Sequence, residues 1–286
     1  MNRNKNFKNP DLHMHSIYSD GTDTPAALLK KVKAAGIDLF SLTDHDSCDG
    51  CAEMQKVLQP DDPAFIYGVE FSCRDNKGKY HILGYGYDPE KSSILEAVQI
   101  THSARMDKAK NRLRFLEENY GFAFSEEEQN EFLALENPGK PHLAKMMLAR
   151  GYVADKAEAF RILGGYHGKE RYLSPEEAID AILFADGIPV LANGILADGS
   201  KVLTEEATEE RISRLKANGL MGLECYYSGF TELQKSSMLK FAEIYNLFVT
   251  AGSDYHGANK TVKLGNTNQP SPEVMQRFYK ALSRLL

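Results

Sequence analysis

Short apolar runs alternate with amphipathic stretches in the first and last parts of the sequence, and this alternation is typical of repeated βα units. Seven strands are predicted, at 7–15, 39–43, 65–71, 80–85, 188–192, 221–225 and 247–253. Parallel βα units close into a barrel whose strand ends meet on one face, where active sites are built. We therefore expect an α/β barrel with a functional site at that face.

Residues that begin and end helices stand between these runs at the expected places. Thr24 is a suitable N-cap, Pro25 suits the first helical position, and Gly36 ends that helix. Further barrel helices are predicted from Ser174 to about 186, before Gly219, at 231–245 and from Pro272 to the end. These helices separate the predicted strands, as βα units require.

The alternation stops in the middle of the chain, where the pattern is helical throughout. A long amphipathic helix is predicted at 94–119, and Ser125 with Glu128 forms a capping-box signature for a second helix. A third helix is predicted at 141–150. We therefore predict a barrel domain of 1–91 and 169–286, and a small helical insertion domain of 92–168.

Composition and charge narrow the class of protein. The 286 residues are 42% apolar and 26% charged, which is enough apolar material for a large core. No apolar run approaches the ~20 residues that cross a bilayer, and the polar start lacks the apolar stretch of a signal peptide. We expect a cytoplasmic protein without a membrane partner. The formal charge of −6 disfavours long nucleic acid as a partner, but it permits a small phosphorylated ligand.

Four cysteines in a chain of this length do not form a disulfide framework. The pair Cys48-x-x-Cys51 is compatible with a redox or zinc site, but no second pair of this spacing accompanies it. We expect reduced thiols without a functional role.

Histidines and carboxylates that lie far apart in sequence stand at the ends of predicted strands, except for Asp20 in the loop after the first strand and His81 within the fourth. They are His13, His15, Asp20, Asp44, His45, Glu70, His81, Asp254 and His256. A His-x-His pair alone is a weak signal, because alternation in a strand puts both side chains on one face for many reasons. Together these residues predict a metal centre. Imidazole with carboxylate suits zinc, manganese or iron better than calcium.

Four segments resemble the motifs of the PHP (polymerase and histidinol phosphatase) superfamily. They are the segment beginning Asp11-Leu12-His13-Met14-His15, then Thr43-Asp44-His45-Asp46, Gly68-Val69-Glu70-Phe71 and Gly252-Ser253-Asp254-Tyr255-His256-Gly257. The sequence most resembles the subgroup with nucleoside 3′,5′-bisphosphate phosphatases and 5′-to-3′ exoribonucleases, which carries a helical insertion. The resemblance implies a distorted (β/α)7 barrel and an enzyme that hydrolyses phosphoesters.

The resemblance also implies two or three divalent ions of manganese, iron or zinc and their ligands. The first site would hold His13, His15, Glu70 and Asp254, with Glu70 bridging to a second site that includes His81, and the third would hold Asp20, His45 and His256. The expected catalytic residues are Asp20, His45, Asp254 and His256. Such a centre implies metal-assisted hydrolysis.

One position departs from the family pattern. The family usually has a histidine followed by proline after the strand at 189–192, and this chain has Asn193 and Gly194. An amide oxygen is a weaker ligand than imidazole for these metals. The second site would then be weak, completed by water or empty. We expect an active enzyme with altered metal occupancy rather than an impaired one, because the other ligand positions are kept.

Substrate contacts are implied inside and beside the insertion. Lys140-Pro141-His142 resembles an Arg-Pro-His motif at a helix start, where backbone N–H groups favour anions. Lys169 and Tyr172 resemble a second element of the subgroup. The two lysines and His142 would bind a substrate phosphate, and the alternative is surface lysines with a capping histidine. Tyr226 follows a strand end and would stack on a base or pack in the barrel rim.

Three functions stay open at this point. The one we predict is hydrolysis of a nucleotide phosphomonoester, either the 3′-phosphate of nucleoside 3′,5′-bisphosphates or the 5′-terminal nucleotides of short RNA. The second is a phosphatase for another small metabolite such as histidinol phosphate, against which the element around Pro141-His142 argues. The third is a non-catalytic, metal-impaired PHP module, against which the retained ligands argue.

Overall fold

The computed structural model of the chain describes residues 7–135, 137–197, 201–268 and 272–283. The chain divides into two compact units. The barrel unit comprises Met1–Val98 and Leu173–Leu286, and the helical unit comprises Gln99–Tyr172. None of the helices in the described ranges combines the length and the apolar character that a membrane crossing requires.

Seven strands of the described residues form one sheet, and their order in the sheet follows their order in sequence. They are β1 (Pro10–Asp11), β2 (Leu39–Leu42), β3 (Ala64–Asp75), β4 (Gly78–Tyr85), β5 (Ile188–Ala192), β6 (Gly222–Tyr227) and β7 (Phe248–Gly252). The N–H of Leu12 donates to the C=O of Ala251 at 3.0 Å and so brings the two edges of the sheet together. The predicted distorted seven-stranded barrel is confirmed.

Helices follow or separate most of the strands. In the described ranges they are α1 (Pro25–Ala34), α2 (Asp49–Val57), α3 (Ser92–Tyr120), α4 (Glu126–Leu133), α5 (Lys140–Ala149), α6 (Lys156–Gly164), α7 (Pro175–Phe184), α8 (Glu205–Ala217), α9 (Glu232–Ile244) and α10 (Gln276–Leu282). The predicted caps are present, because Thr24 Oγ1 accepts from Ala27 N–H at 3.2 Å and Ser125 forms its capping box with Glu128.

The sheet is not the fully parallel one that we expected. β4 runs antiparallel to both β3 and β5. Only Asn76 and Lys77 connect β3 to β4, and a connection of two residues suffices for a hairpin but not for a parallel crossover. The strand candidate at 80–85 was therefore placed correctly, but its direction was wrong.

Other elements differ from the prediction in length or existence. β1 has two residues instead of nine, because the chain leaves the regular ladder before His13 and keeps only a bridge between Met14 and Tyr255. α2 and α6 were not predicted. The final helix begins with a 3-10 turn at Pro272–Met275, and the predicted positions 284–286 lie outside the described residues.

Each unit has an apolar core of its own. In the barrel unit, Leu28 of α1 and Met54 of α2 pack in one cluster with Leu42 of β2. In the helical unit, Leu116 of α3 and Leu143 of α5 belong to a second cluster. Full burial of such a side chain contributes about 1.5–3 kcal/mol. The strand ends of the barrel therefore stand on a packed scaffold.

Candidate metal centre

His13 and His15 follow β1 and are completely buried where the first and last strands meet. The N–H of Asp254 donates to the C=O of His13, and the N–H of His15 donates to the C=O of Tyr255, both at 2.8 Å. Alternation along an extended segment puts the two imidazoles on the same face. The backbone pairing therefore sets this face beside Asp254 and His256, the residues that follow β7.

Glu70 of β3 is the buried carboxylate around which four histidines are grouped. Its Oε2 lies 3.2 Å from Nε2 of His13, from Nε2 of His15 and from Nδ1 of His45. Its Oε1 lies 2.9 Å from Nδ1 of His81. Both oxygens of one carboxylate thus face imidazole nitrogens, and the bridging role implied for Glu70 stays a prediction.

His81 reaches Glu70 because β4 is antiparallel. It stands near the start of β4, opposite Ser72 of β3 and Ala192 of β5. The start of an antiparallel strand lies level with the ends of its parallel neighbours, so His81 is brought to the functional face. Asn193, which directly follows β5, lies at the same level.

The eight predicted metal ligands form three overlapping sets in the described part of the chain. Within each set the candidate ligand atoms lie within 4.8 Å of one another. The sets are His13, His15 and Asp254; His45, Glu70 and His81; and His15, Asp20, His45 and His256. The structure therefore brings all eight residues together, and their assignment as ligands stays a prediction.

Buried atoms without partners support a metal at this place. Nε2 of His13, Nε2 of His15 and Oδ1 of Asn193 are buried and make no hydrogen bond within the described ranges. An unpaired buried polar atom costs about 1–3 kcal/mol. Neutral imidazole and carboxylate are good ligands for manganese, iron and zinc. The side chains present therefore fit divalent ions of this class.

Burial and mutual charge shift the ionisation of these groups in opposite directions. Burial raises the pKa of Glu70, but the charges of the histidines, His13 first, hold it well below its usual value. Burial lowers the pKa of His45 to about 3, so this imidazole stays in the neutral form that binds metals. Burial also lowers the pKa of His15, but the adjacent carboxylates of Asp254 and Glu70 prevail and raise it to about 9. A bound cation would replace that proton.

Glu224 of β6 contacts the ring nitrogen of His13 that does not face Glu70. The sequence alone assigned no role to it. It is completely buried, and its Oε1 lies 2.8 Å from Nδ1 of His13. Its Oε2 accepts the N–H of Asn193 at 3.3 Å. A carboxylate on the second ring nitrogen orients a metal-binding histidine and increases its basicity. A glutamate inside an otherwise apolar strand is the signal that predicts such a partner.

A second support holds His15. Oγ of Ser19 lies 3.2 Å from Nδ1 of His15 and donates to Oδ1 of Asp44 at 2.6 Å. Asp44 also accepts the N–H of Ser16 at 2.7 Å. Asp44, which follows β2 in the motif with His45, therefore shapes the loop after His15 and lies outside the three sets of candidate ligands.

Asp254 is held in an unusual backbone conformation and by two side chains. Its φ is 58°, and that of Asn193 is 50°, in the left-handed region that non-glycine residues rarely adopt. Oδ2 of Asp254 accepts Nζ of Lys260 at 2.5 Å and the hydroxyl of Tyr227 at 3.0 Å. Backbone strain of this kind is concentrated at functional sites.

A cavity of about 190 Å³ opens beside these residues. Glu70, His81, Asn193, Tyr227 and Asp254 are part of its lining. Three cationic side chains also line it, those of Lys79, Arg211 and Lys260. Metal ligands and cations thus border one space, which suits a small anionic ligand.

A family model, the PHP domain, matches residues 11–169, which is more than half of the chain. The chain belongs to the PHP domain family. It is 27% identical over 281 residues to a 3′,5′-nucleoside bisphosphate phosphatase of Chromobacterium violaceum, covering 96% of each protein. It is also 27% identical to a 5′-3′ exoribonuclease of Haemophilus influenzae, covering 90% of this chain and 93% of that one. The structure of an inferred metal-dependent phosphoesterase from Bifidobacterium adolescentis aligns with a TM-score of 0.79 at 26% identity, covering 96% of each chain.

These similarities confirm the predicted family and the enzyme class. The PHP protein is a phosphoesterase, a hydrolase of phosphoric esters, and its histidine and carboxylate sets are able to bind metal ions.

The predicted substrate contacts of this PHP protein lie in different surroundings. Lys140 begins α5, and Nδ1 of His142 accepts the N–H of Gly139 at 3.2 Å, so His142 caps that helix. Lys169 is exposed, and the hydroxyl of Tyr172 accepts Nζ of Lys108. All of these residues belong to the helical unit, and their contact with substrate stays a prediction.

Tyr226 and the cysteines do not belong to the described lining of the cavity. Tyr226 is 4% exposed and does not belong to the described cavity lining, whereas its neighbour Tyr227 does. The contact of Tyr226 with a base stays a prediction. Burial raises the pKa of Cys48 to about 12, and Sγ of Cys51 donates to the C=O of Leu42 at 3.1 Å. Both thiols are free and stay protonated at neutral pH.

Proposed function

We propose that this phosphoesterase removes the 3′-phosphate of nucleoside 3′,5′-bisphosphates. The observation that carries the proposal is the cavity that Glu70, His45 and His81 line together with three cationic side chains. A phosphomonoester is a dianion, so it needs local positive charge in a chain whose formal charge is −6. The match to the Chromobacterium bisphosphate phosphatase over 96% of each chain supports this substrate.

Release of 5′-terminal nucleotides from short RNA is a second candidate. The Haemophilus exoribonuclease shares the same 27% identity with this chain and supports it. Both candidates are small phosphorylated substrates, and neither requires binding of long nucleic acid.

We propose that two or three manganese, iron or zinc ions are bound by the eight ligands, with Oδ1 of Asn193 completing the site of Glu70 and His81. Such ions, when bound, neutralise phosphoryl charge and lower the pKa of water. The fit rests on the unpaired buried atoms of His13, His15 and Asn193.

The side chains around the ions bind and orient the substrate in this proposal. Lys260 lines the cavity and is held by Asp254 at 2.5 Å, so its charge stands beside the ligands. Arg211 is held by the C=O of Leu196 at 2.9 Å and contributes a second cation. Binding of phosphoryl oxygens by fixed cations stabilises the charge that develops during displacement.

The four residues predicted to be catalytic are proposed to act together with the ions. Nε2 of His256 lies 3.1 Å from Oδ1 of Asp20. Oδ1 of Asp254 lies 3.4 Å from Nε2 of His15 and from Nδ1 of His256, and Nδ1 of His45 lies 3.2 Å from Oε2 of Glu70. We assign Asp20, His45, Asp254 and His256 to holding the reacting groups in line.

A hydrolysis panel tests the proposal. Metal-supplemented enzyme is incubated with adenosine 3′,5′-bisphosphate, a short 5′-phosphorylated RNA or histidinol phosphate, and released phosphate or nucleotide is measured. We expect the bisphosphate to react fastest and the His15→Ala variant to be inactive. Equal release by variant and wild type would refute the enzyme assignment. Faster hydrolysis of histidinol phosphate would overturn the substrate.

Several broader expectations also stay predictions. They are the cytoplasmic location, the absence of membrane partners and the role of the middle segment as an insertion domain. The compact helical unit spans Gln99–Tyr172, whereas the predicted domain spans 92–168.

A further inference from the structure

Arg211 of α8 is a buried cation that contacts two separate segments of the barrel unit. Its Nη1 donates to the C=O of Leu196 at 2.9 Å and to the C=O of Gly194 at 3.4 Å. Its guanidinium carbon lies 4.5 Å from the ring centre of Tyr80. Gly194 lies in the segment after β5, and Tyr80 lies near the start of β4. One side chain therefore joins these two segments.

The first segment is a tight turn that begins at Asn193. The φ of Asn193 is 50°, and its C=O accepts the N–H of Leu196 at 2.7 Å. Gly194, the second residue of the turn, gives the backbone more conformational freedom than any other residue would. Order in this turn therefore depends on contacts from outside it, and Arg211 donates to two of its carbonyls.

The second segment is the start of β4, where Tyr80 is held by a second arginine of α8. Arg214 follows Arg211 by three residues, the spacing of neighbours on a helix surface, and its guanidinium carbon lies 5.4 Å from the same ring centre. Nη2 of Arg214 donates to the hydroxyl of Tyr80 at 2.8 Å and to Oδ2 of Asp75 at 2.9 Å. Tyr80 is thus a fixed platform on which the guanidinium of Arg211 stacks. His81 is the next residue along β4.

A guanidinium at this place has two opposite effects on a metal ion bound by His81 and Asn193. Its charge repels a divalent cation, and all three side chains line the same cavity. Its hydrogen bonds, in contrast, hold the turn that carries Asn193, whose Oδ1 is buried and makes no hydrogen bond within the described ranges. A ligand whose backbone is already ordered binds a metal more tightly. Because the two effects have opposite signs, the metal affinity distinguishes them.

We propose that Arg211 is a positioning residue of the metal centre. By holding the turn of Asn193 on the platform of Tyr80, it keeps the Asn193 amide in the cavity that Glu70 and His81 also line. The planar guanidinium suits this role, because it stacks on a ring while it donates hydrogen bonds in its own plane. The inference rests on the proposal that Glu70, His81 and Asn193 hold an ion, but it does not depend on the substrate.

Manganese titration of the metal-free protein measures this role in the absence of substrate. The electron paramagnetic resonance signal of free Mn²⁺ gives the number and the affinity of bound ions in wild type and in Arg211→Met. The ion that is absent from His81→Ala identifies the affected site. We expect this ion to bind about 10–100-fold more weakly in Arg211→Met, the loss that follows removal of a supporting residue. The ion at His13 and His15 should keep its affinity, which shows that the variant is folded.

Arg277→Met is a matched control for this titration. The guanidinium carbon of Arg277 also lies near a ring, 5.7 Å from the centre of that of Phe248. Its Nη2 donates at 3.3 Å to the C=O of Asn246, which has a left-handed φ of 51°. None of these three residues belongs to the described cavity lining, so we expect both metal affinities to stay unchanged in this variant.

Unchanged or tighter binding of the His81 ion in Arg211→Met would overturn the proposal, because the charge of Arg211 or its contact with substrate would then be its whole role. A wild-type protein in which no bound ion depends on His81 would overturn it as well. If the affinity falls as expected but the bisphosphate is not hydrolysed, the proposal is supported and only the substrate assignment fails.

Two further variants separate positioning from a general effect on the fold. In Asn193→Ala the amide ligand is missing, so adding Arg211→Met should cause no further loss of affinity for the His81 ion. An equal loss in both backgrounds would show that Arg211 does not act through Asn193 and would overturn the proposal. Arg211→Lys keeps the charge but not the planar group, and we expect it to lose affinity too. Full affinity in Arg211→Lys would overturn the stacked guanidinium as the cause.

Discussion

The two sides of the candidate metal centre are built differently although they share Glu70. The closed side consists of His13, His15 and Asp254, with both imidazoles completely buried. The open side consists of His81 and Asn193, and the side chain of His81 is 41% exposed. Both open-side residues line the cavity. The closed side therefore has two fully buried imidazoles, whereas the open side faces the cavity in which we expect the substrate to bind.

The residues that hold the ligand side chains in place also differ between the closed side and the open side. Glu224 holds His13 from behind, and Ser19 holds His15. On the open side, Oδ1 of Asn193 makes no hydrogen bond to any described residue, although its N–H donates to Glu224. Ligands that are held in place bind a metal more tightly than ligands that must be ordered on binding. The closed side should therefore retain its metal, and the open side should exchange it.

The largest effect is expected from Glu70→Gln, because this residue belongs to both sides. The amide keeps the shape of the side chain but removes the charge that faces four histidines. We expect metal content and hydrolysis both to fall by more than about a hundredfold, beyond the 10–100-fold loss that follows removal of a supporting residue. Elemental analysis and phosphate release measure the two losses, with the exposed Glu210→Gln as the control. Full metal content in Glu70→Gln would remove the basis for a shared ligand.

The closed side alone is tested by Glu224→Gln. Loss of the carboxylate on Nδ1 of His13 should weaken metal binding about 10–100-fold, because the imidazole loses both orientation and basicity. Titration against a competing chelator measures the affinity, and the exposed Glu232→Gln is the control. An unchanged affinity would mean that Glu224 only fills the barrel interior.

Much of this centre was predictable because most of its ligands lie near the ends of predicted strands or shortly after them. His13, His15, Glu70 and Asp254 were placed at strand ends from the apolar pattern, and the barrel topology brings such ends together. The family motifs indicated which of these residues share a metal site. Local sequence was sufficient here because each ligand is positioned by the backbone of its own strand.

Other parts depend on contacts that no local pattern reports. The direction of β4, which brings His81 to the site, follows from the two-residue connection to β3, and the apolar pattern of the strand does not indicate it. The partnership of His13 with Glu224 joins residues 211 positions apart. α2 begins at Cys48-Asp49-Gly50 without a side-chain cap, and Asp-Gly resembles a turn. α6 is the exception, because Asp155 is a local N-cap signal for it.

The open side alone is tested by His81→Ala. This change removes a member only from the set of His45, Glu70 and His81. We therefore expect the protein to lose the ion of the open side and to keep the ion of the closed side. Hydrolysis should fall by about tenfold or more, because an ion next to the cavity supplies charge to the phosphoryl group. Elemental analysis after gel filtration measures the ratio of metal to protein. Loss of all metal would contradict the division into two independent sides.

The smallest effect is expected from Asn193→His, which gives the open side the imidazole that the family usually has. Histidine is one of the non-glycine residues that tolerate a left-handed backbone, so the φ of 50° does not oppose the change. We expect a higher metal content and a change of hydrolysis within about tenfold, since an imidazole replaces an amide oxygen that is already in place. Asn246→His is a matched control, because Asn246 is exposed and has a φ of 51°. An unchanged metal content in Asn193→His would mean that the Asn193 amide does not weaken metal binding at the open side. The exposure of His81 would then be the remaining cause of weak metal binding there.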